Sequence, residues 1–209
     1  MKKDWLVPLT GVAFIVLLIA GFIVGGEPPD ADEPVQEIVD FYVDDKDSIE
    51  AGVFLLALST LFFIFFANYL RTLFRETSLS ATILVGAAIF VVGGAIDGTI
   101  LIALAEAADD IEPASVQALQ ALWDNDFLPL AVGISVFLVS VGLSILRTTV
   151  LPKWLGWVTL VLALVSVTPV GFIAFPGTGL LILVLSVWLA LRARRAATPP
   201  SAGAVPPAQ

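Results

Sequence analysis

The sequence predicts an all-α membrane protein, a bundle of six transmembrane helices with two amphipathic surface helices, and three observations carry the prediction. Of 209 residues, 58% are hydrophobic and 14% charged, with a mean hydropathy of +0.99. Soluble domains carry about 25% charged residues, and a core of this size could not absorb so much apolar surface. The apolar residues also fall in runs of roughly 18 or more, long enough to cross about 30 Å of hydrocarbon as a helix. Finally, the charges between the runs alternate in sign, so the formal net charge of −9 conceals a segregated distribution.

The first span, about 6–26, follows Lys2 and Lys3. A signal peptide would also place lysines before an apolar run, but this run exceeds the roughly 7–15 residues of such a segment and no A-x-A site follows. An acidic stretch comes next, in which Glu33-Pro34 precedes Val35, Ile38, Val39 and Tyr42, spaced as one face of a helix. The second span, 51–70, ends at Arg71 and Arg75, and the third covers 81–104. A second acidic loop repeats the plan, with Glu112-Pro113 ahead of Val116, Leu119, Leu122 and Trp123. Both short helices are expected on the outer surface, with proline in the first turn and apolar faces lying in the interface or over the bundle. Spans at 127–146, 155–174 and 178–192 follow, with Arg147 and Lys153 between the fourth and fifth and Arg192, Arg194 and Arg195 after the sixth. Pro169 offers an alternative, in which the fifth helix breaks early and residues 168–179 dip into the membrane as irregular backbone. Residues 1–195 read as one membrane domain, and 196–209 as a proline- and alanine-rich disordered tail.

Nine of the ten basic residues fall on one side of these spans, Lys46 being the exception. The positive-inside rule then puts both termini on the cytoplasmic side of a plasma membrane. Trp5, Trp154, Trp157 and Trp188 agree, all falling at the cytoplasmic interface. Spacings of 79 residues between Glu33-Pro34 and Glu112-Pro113, and of 76 between Arg71 and Arg147, suggest duplicated hairpins.

Within the spans, Asp97 in VVGGAIDGTILIAL is the conspicuous residue. A membrane-embedded acid is costly and so marks a candidate ligand or proton site. With no Lys, Arg or His in any span to pair with it, a buried Asp97 is expected to be uncharged. It then serves either as a working site or as a carboxyl hydrogen-bonded to a neighbouring helix, with Thr168 and the Val165 carbonyl as the expected partners at its depth. Gly94 and Gly98 flank it in small-xxx-small spacing, as do Gly21 with Gly25 and Ser140 with Ser144, and these pairs are expected to let helices pack closely.

Enzyme templates fail on composition. Without histidine or cysteine there is no histidine base, thiol chemistry or disulfide. Aspartyl proteolysis needs two facing acids in spans, and no glycine-rich phosphate loop follows a strand. The Asp44-Asp45-Lys46-Asp47 run with Glu50 lacks the alternation and glycine of a calcium loop. Neither a metal nor a cofactor is therefore expected.

The turn SILRTTVLPKWLGWVTLVLAL resembles the LPxWLGW cytoplasmic turn of a broad group of bacterial, largely actinobacterial, multi-span integral membrane proteins of unknown function. The matching positions run from Leu146 and Arg147 to Val150, Leu151, Pro152, Lys153, Trp154, Leu155, Gly156 and Trp157. The resemblance implies a multi-span helical fold and no activity. Lys153 with Trp154 and Trp157 suits an interface anchor. The expected function is non-enzymatic binding of a lipid, a small lipophile or a partner protein in a cleft near Asp97. The alternatives are a small proton- or cation-coupled transporter or channel using Asp97, and a membrane enzyme acting on lipid. The bilayer is the expected partner, with a homo-oligomer as an option and no nucleic acid.

Overall fold

In the computed structural model, which describes residues 4–168 and 171–197, every regular element among the described residues is helical. A 3-10 turn, Asp4–Leu9, leads into α1 (Thr10–Gly25), followed by α2 (Val35–Asp44), α3 (Lys46–Leu73), α4 (Ser80–Ala107), α5 (Pro113–Trp123), α6 (Leu128–Arg147), α7 (Lys153–Ser166) and α8 (Ala174–Ala197). Five stretches are long and apolar enough to cross a membrane, and α7 is a shorter apolar helix of 14 residues. Apolar side chains cover the outside as well as the inside, with Ile23 76%, Phe54 67% and Leu164 70% exposed. Such a surface calls for lipid rather than water around it.

Each long helix packs on the next in the order α1, α3, α4, α6, α7, α8 and back to α1, so the six form a closed ring. Phenylalanines plug its middle: Phe63 lies 4.8 Å from Phe14, 5.2 Å from Phe90 and 5.0 Å from Phe137 between ring centroids, in tilted and edge-on arrangements. At the basic end, the Arg192 guanidinium donates to the Val150 carbonyl and Arg194 lies 6.0 Å over the Trp5 ring.

The two short helices form where the apolar spacing predicts them, and they pack on each other and on the ends of α3 and α4. Their inward faces differ in part from the expectation. Ile38, Tyr42 and Val116 are buried, but Leu122 is 53% exposed and Gln120 takes the inward position instead. Pro113 opens α5, whereas Pro34 precedes α2 as its cap, so the two prolines are not equivalent positions. The residues that do correspond are Tyr42 and Gln120, 78 apart and hydrogen-bonded to each other. The same spacing separates Val35 from Pro113 and Ile38 from Val116. The halves α1–α3 and α4–α6 therefore share one plan and meet through corresponding residues.

The fifth helix is shorter and the sixth longer than the sequence suggests. α7 ends at Ser166, and the N–H and hydroxyl of Thr168 both turn back to the Val165 carbonyl. A residue before proline is driven out of helical geometry, which accounts for the stop ahead of Pro169. A 3-10 turn, Gly171–Ile173, follows, and the chain is helical again from Ala174 rather than from 178. Pro169 itself, Lys2, Lys3 and the tail from 198 onward lie outside the described residues.

Candidate functional site

Above the phenylalanine plug the ring is hollow. A cavity of about 790 Å³ lies between α1, α3, α4, α6 and α8, lined by Phe14, Phe22, Phe90 and Phe175 among other apolar side chains. Phe22 and Leu180 on its rim are 61% and 64% exposed, so it opens on the apolar flank of the bundle. A second cavity of about 420 Å³ sits under the linker that leaves α1, where Gly26 with φ +74° turns the chain toward Glu27 and Pro28. Asp97 lines both, with Phe22, Val53 and Leu56, and so stands at their junction.

Asp97 is half-buried in the second half of α4, where its carboxyl interacts electrostatically with Asp126, before α6, and with Trp123, at the end of α5. These contacts fall short of formed hydrogen bonds: the indole N–H of Trp123 and Oδ2 of Asp126 are buried without a hydrogen-bond partner. The third such atom among the described residues is the hydroxyl of Thr178, in the second turn of α8. Thr178 is 4% exposed and lines the larger cavity with Asp97. Its isolation is unusual here, since Ser59, Thr159, Ser166 and Ser186 each return their hydroxyl to a carbonyl one turn back. A buried polar atom left unpaired costs about 1–3 kcal/mol, so the polar wall of this cavity has unused bonding capacity.

The expected partners of Asp97 are not the observed ones. Thr168 spends its hydroxyl on Val165, and neither residue lines the cavity. Asp126 and Trp123 take their places, and Thr178 shares the larger cavity with Asp97. The sequence does contain them, in the acidic loop and in the segment TPVGFIAFPGTG, but only the fold brings them to Asp97.

The small residues divide in two. Gly21 and Gly25 meet Gly52 of α3, where a Cβ would stand 2.6 Å from the Gly25 Cα. Gly98 abuts Val53, and the Ser144 hydroxyl lies 3.2 Å from that of Thr77, with Ser140 buried nearby on α6. Gly94, by contrast, packs against no helix backbone: a Cβ there would meet only Leu130, at 3.9 Å, and the residue faces the cavity instead. The tightest backbone approaches involve glycines without that spacing, Gly86 against Phe137 and Gly133 against Phe90, where an added Cβ would in each case stand 2.3 Å away, and Gly142 and Gly156 also meet, at 3.0 Å by the same measure. Lys153, Trp154 and Trp157 stand exposed on the outside of α7, remote from the cavity lining.

Outside the ring, a buried polar network ties the acidic linker down. The Tyr42 hydroxyl donates to Gln120 Oε1 at 2.5 Å, and Gln120 Nε2 donates to the Pro29 carbonyl at 2.8 Å and to Asp124 Oδ1 at 2.9 Å. Asp124 Oδ2 accepts from the Ala31 N–H and Gln117 donates to the Ala31 carbonyl, each at 2.9 Å. Burial above all, and then the carboxylates of Asp124 and Asp97, push the Tyr42 phenol above its usual pKa. Among the described residues, no group of three acids has the arrangement of a metal site. The chain matches no protein-family model, no curated protein and no solved structure.

Proposed function

We propose that this chain is a six-span protein of a bacterial plasma membrane, with both termini in the cytoplasm, and that it holds a lipid or small lipophile in the cleft beside Asp97. The hollow upper half of the ring carries the reading: an apolar chamber opening on the lipid-facing flank, with Asp97 at its inner junction. Helix α7 supplies the sixth crossing. Its 14 residues rise about 21 Å, and exposed Trp154 and Trp157 anchor its start. The resemblance of its LPKWLGW turn to a multi-span membrane group supports the same topology. A proton- or cation-coupled transporter would use the same junction. The cleft below Asp97 is apolar, however, and the phenylalanine plug closes it, which favours holding a ligand over passing one.

Two experiments address this reading. The chain has no cysteine, so single cysteines report topology directly. In intact spheroplasts an impermeant maleimide should label Asp109→Cys and spare Ala196→Cys until lysis; labelling of Ala196→Cys before lysis would overturn the topology. For the cleft, Gly94→Leu adds a side chain at a cavity-lining position where a Cβ would meet only Leu130. It should fold normally while lowering ligand retention at least about tenfold, by occluding the apolar volume that holds the ligand. Native mass spectrometry of gently extracted protein should show an adduct in the parent that the variant loses. A parent carrying no adduct would sink the binding reading.

A further inference from the structure

The polar complement of the cleft specifies the chemistry of its occupant. Asp97 faces a second carboxyl, Asp126, and Glu27 lines the adjoining cavity. Among the described residues, neither cavity is lined by a lysine or arginine. The only basic residue among the outer loops is Lys46, against sixteen acids. An anionic headgroup would enter this field against repulsion, and a neutral alcohol would leave the paired carboxyls without a countercharge. A cationic nitrogen is matched at every point: by two carboxyls at the junction, by the aromatic walls of Phe14, Phe22, Phe90 and Trp123, and by a hydroxyl oxygen free to accept. That hydroxyl is the independent sign of a ligand atom, because Thr178 is buried, unpaired and on the opposite wall of the same chamber.

We propose that the cleft takes a lipophilic amine, its protonated nitrogen seated between Asp97 on α4 and Thr178 on α8 and its apolar body lying along the phenylalanine-lined chamber. The proposal rests on the occupancy of the cleft argued above and names the class of molecule that occupies it. The arriving cation displaces to water the proton that keeps a buried Asp97 uncharged, and Asp97 with Asp126 then supplies the countercharge. A charge-assisted hydrogen bond in a partly dehydrated site discriminates by roughly ten- to a hundredfold. Nothing is transformed: the site binds.

The full chain in phosphatidylcholine nanodiscs, set against empty discs, tests it with three probes of one chain length: dodecylamine, dodecanol and dodecanoate. Equilibrium dialysis should show the amine bound about tenfold or more tighter than either of the others. Asp97→Asn should remove most of that preference and Asp97→Glu should keep it, while dodecanol binding stays within about twofold. Thr178→Val should weaken the amine severalfold and leave the empty protein at least as stable, since it deletes an unpaired hydroxyl at near-equal volume. If Asp97→Asn fails to fold as judged by elution and melting, Asp126→Asn carries the same expectation. Equal binding of the three probes, or preference for dodecanoate, would overturn the amine class and leave the lipophile reading standing. Unchanged amine affinity in Thr178→Val would overturn the two-point seat. No probe above the empty-disc level would overturn both this inference and the reading on which it rests.

Discussion

Gly133→Ala is expected to disrupt the second hairpin, with a loss of about 3 kcal/mol or more, at or above the upper end of ordinary overpacking costs. The added Cβ would stand 2.3 Å from the Phe90 backbone nitrogen and 2.6 Å from its Cα. Both are main-chain atoms, so no rotamer relieves the clash and α4 and α6 must part. The crossing is reciprocal: a Cβ on Gly86 would meet the Phe137 nitrogen at 2.3 Å. Phe90 and Phe137 lie one turn beyond Gly86 and Gly133, so each helix sets its glycine against the other's phenylalanine segment. Separating the helices therefore also loosens the rings that plug the bundle. In lipid, close van der Waals packing is the main force joining helices, so the lost contact has no hydrophobic substitute. Unfolding by SDS titration in mixed micelles, followed by tryptophan fluorescence, should place Gly133→Ala and Gly86→Ala well below the parent. Gly94→Ala, with 3.9 Å of clearance, should fall within about 0.5 kcal/mol of it. Parent-like stability in Gly133→Ala would mean that α4 and α6 do not cross at this distance.

These glycines also show what the sequence could and could not reveal. The existence of each long helix, and of both short ones, was legible because apolar runs and helical spacing are properties of contiguous residues. The seating of Gly86 on Phe137 and of Gly133 on Phe90 was not, since partners on different helices leave no mark on either segment. Small-xxx-small spacing found Gly21, Gly25 and Gly98, which touch neighbouring helices, but also Gly94, which faces empty space. Asp97 stood out for its cost in lipid. Its surroundings did not, because depth along a span says nothing of rotation about it: Thr168 fits by depth, whereas the ring order brings Thr178 and the Trp123–Asp126 turn to the site. Gln120 was hidden for another reason. A polar residue on the expected inward face looks like a break in the pattern until its partner, Tyr42, is seen to stand opposite.

That pair supports the second large effect: Gln120→Leu should release the acidic linker and both short helices while the ring stays folded. Leucine fits the volume, but it leaves the Tyr42 hydroxyl, the Pro29 carbonyl and Asp124 Oδ1 without their partner. At about 1–3 kcal/mol per buried unpaired group, and with Asp124 still held by the Ala31 N–H, the local cost is about 3–5 kcal/mol. The loss falls on a separate apolar cluster, Ile38, Tyr42, Val53, Leu104 and Val116 among its members, not on the phenylalanine core. The response should therefore be local opening. Hydrogen exchange over 28–44 and 113–123 should quicken by roughly a hundredfold or more, with α6 and the part of α4 before Leu101 unchanged; a uniform rise along the chain would show that lid and ring form one cooperative unit. Tyr42 adds a pH signature. Its phenol ionises less readily in the folded lid than in an open one, so the folded form holds that proton more tightly. The associated stability is whole below about pH 10, the ordinary tyrosine value, and is lost as pH rises through the higher folded value. The lid should accordingly loosen in alkali, and Tyr42→Phe should abolish that dependence, at the smaller cost of one unpaired Gln120 oxygen. An alkaline transition that survives in Tyr42→Phe would assign it to another group and remove the phenol from the account of lid closure.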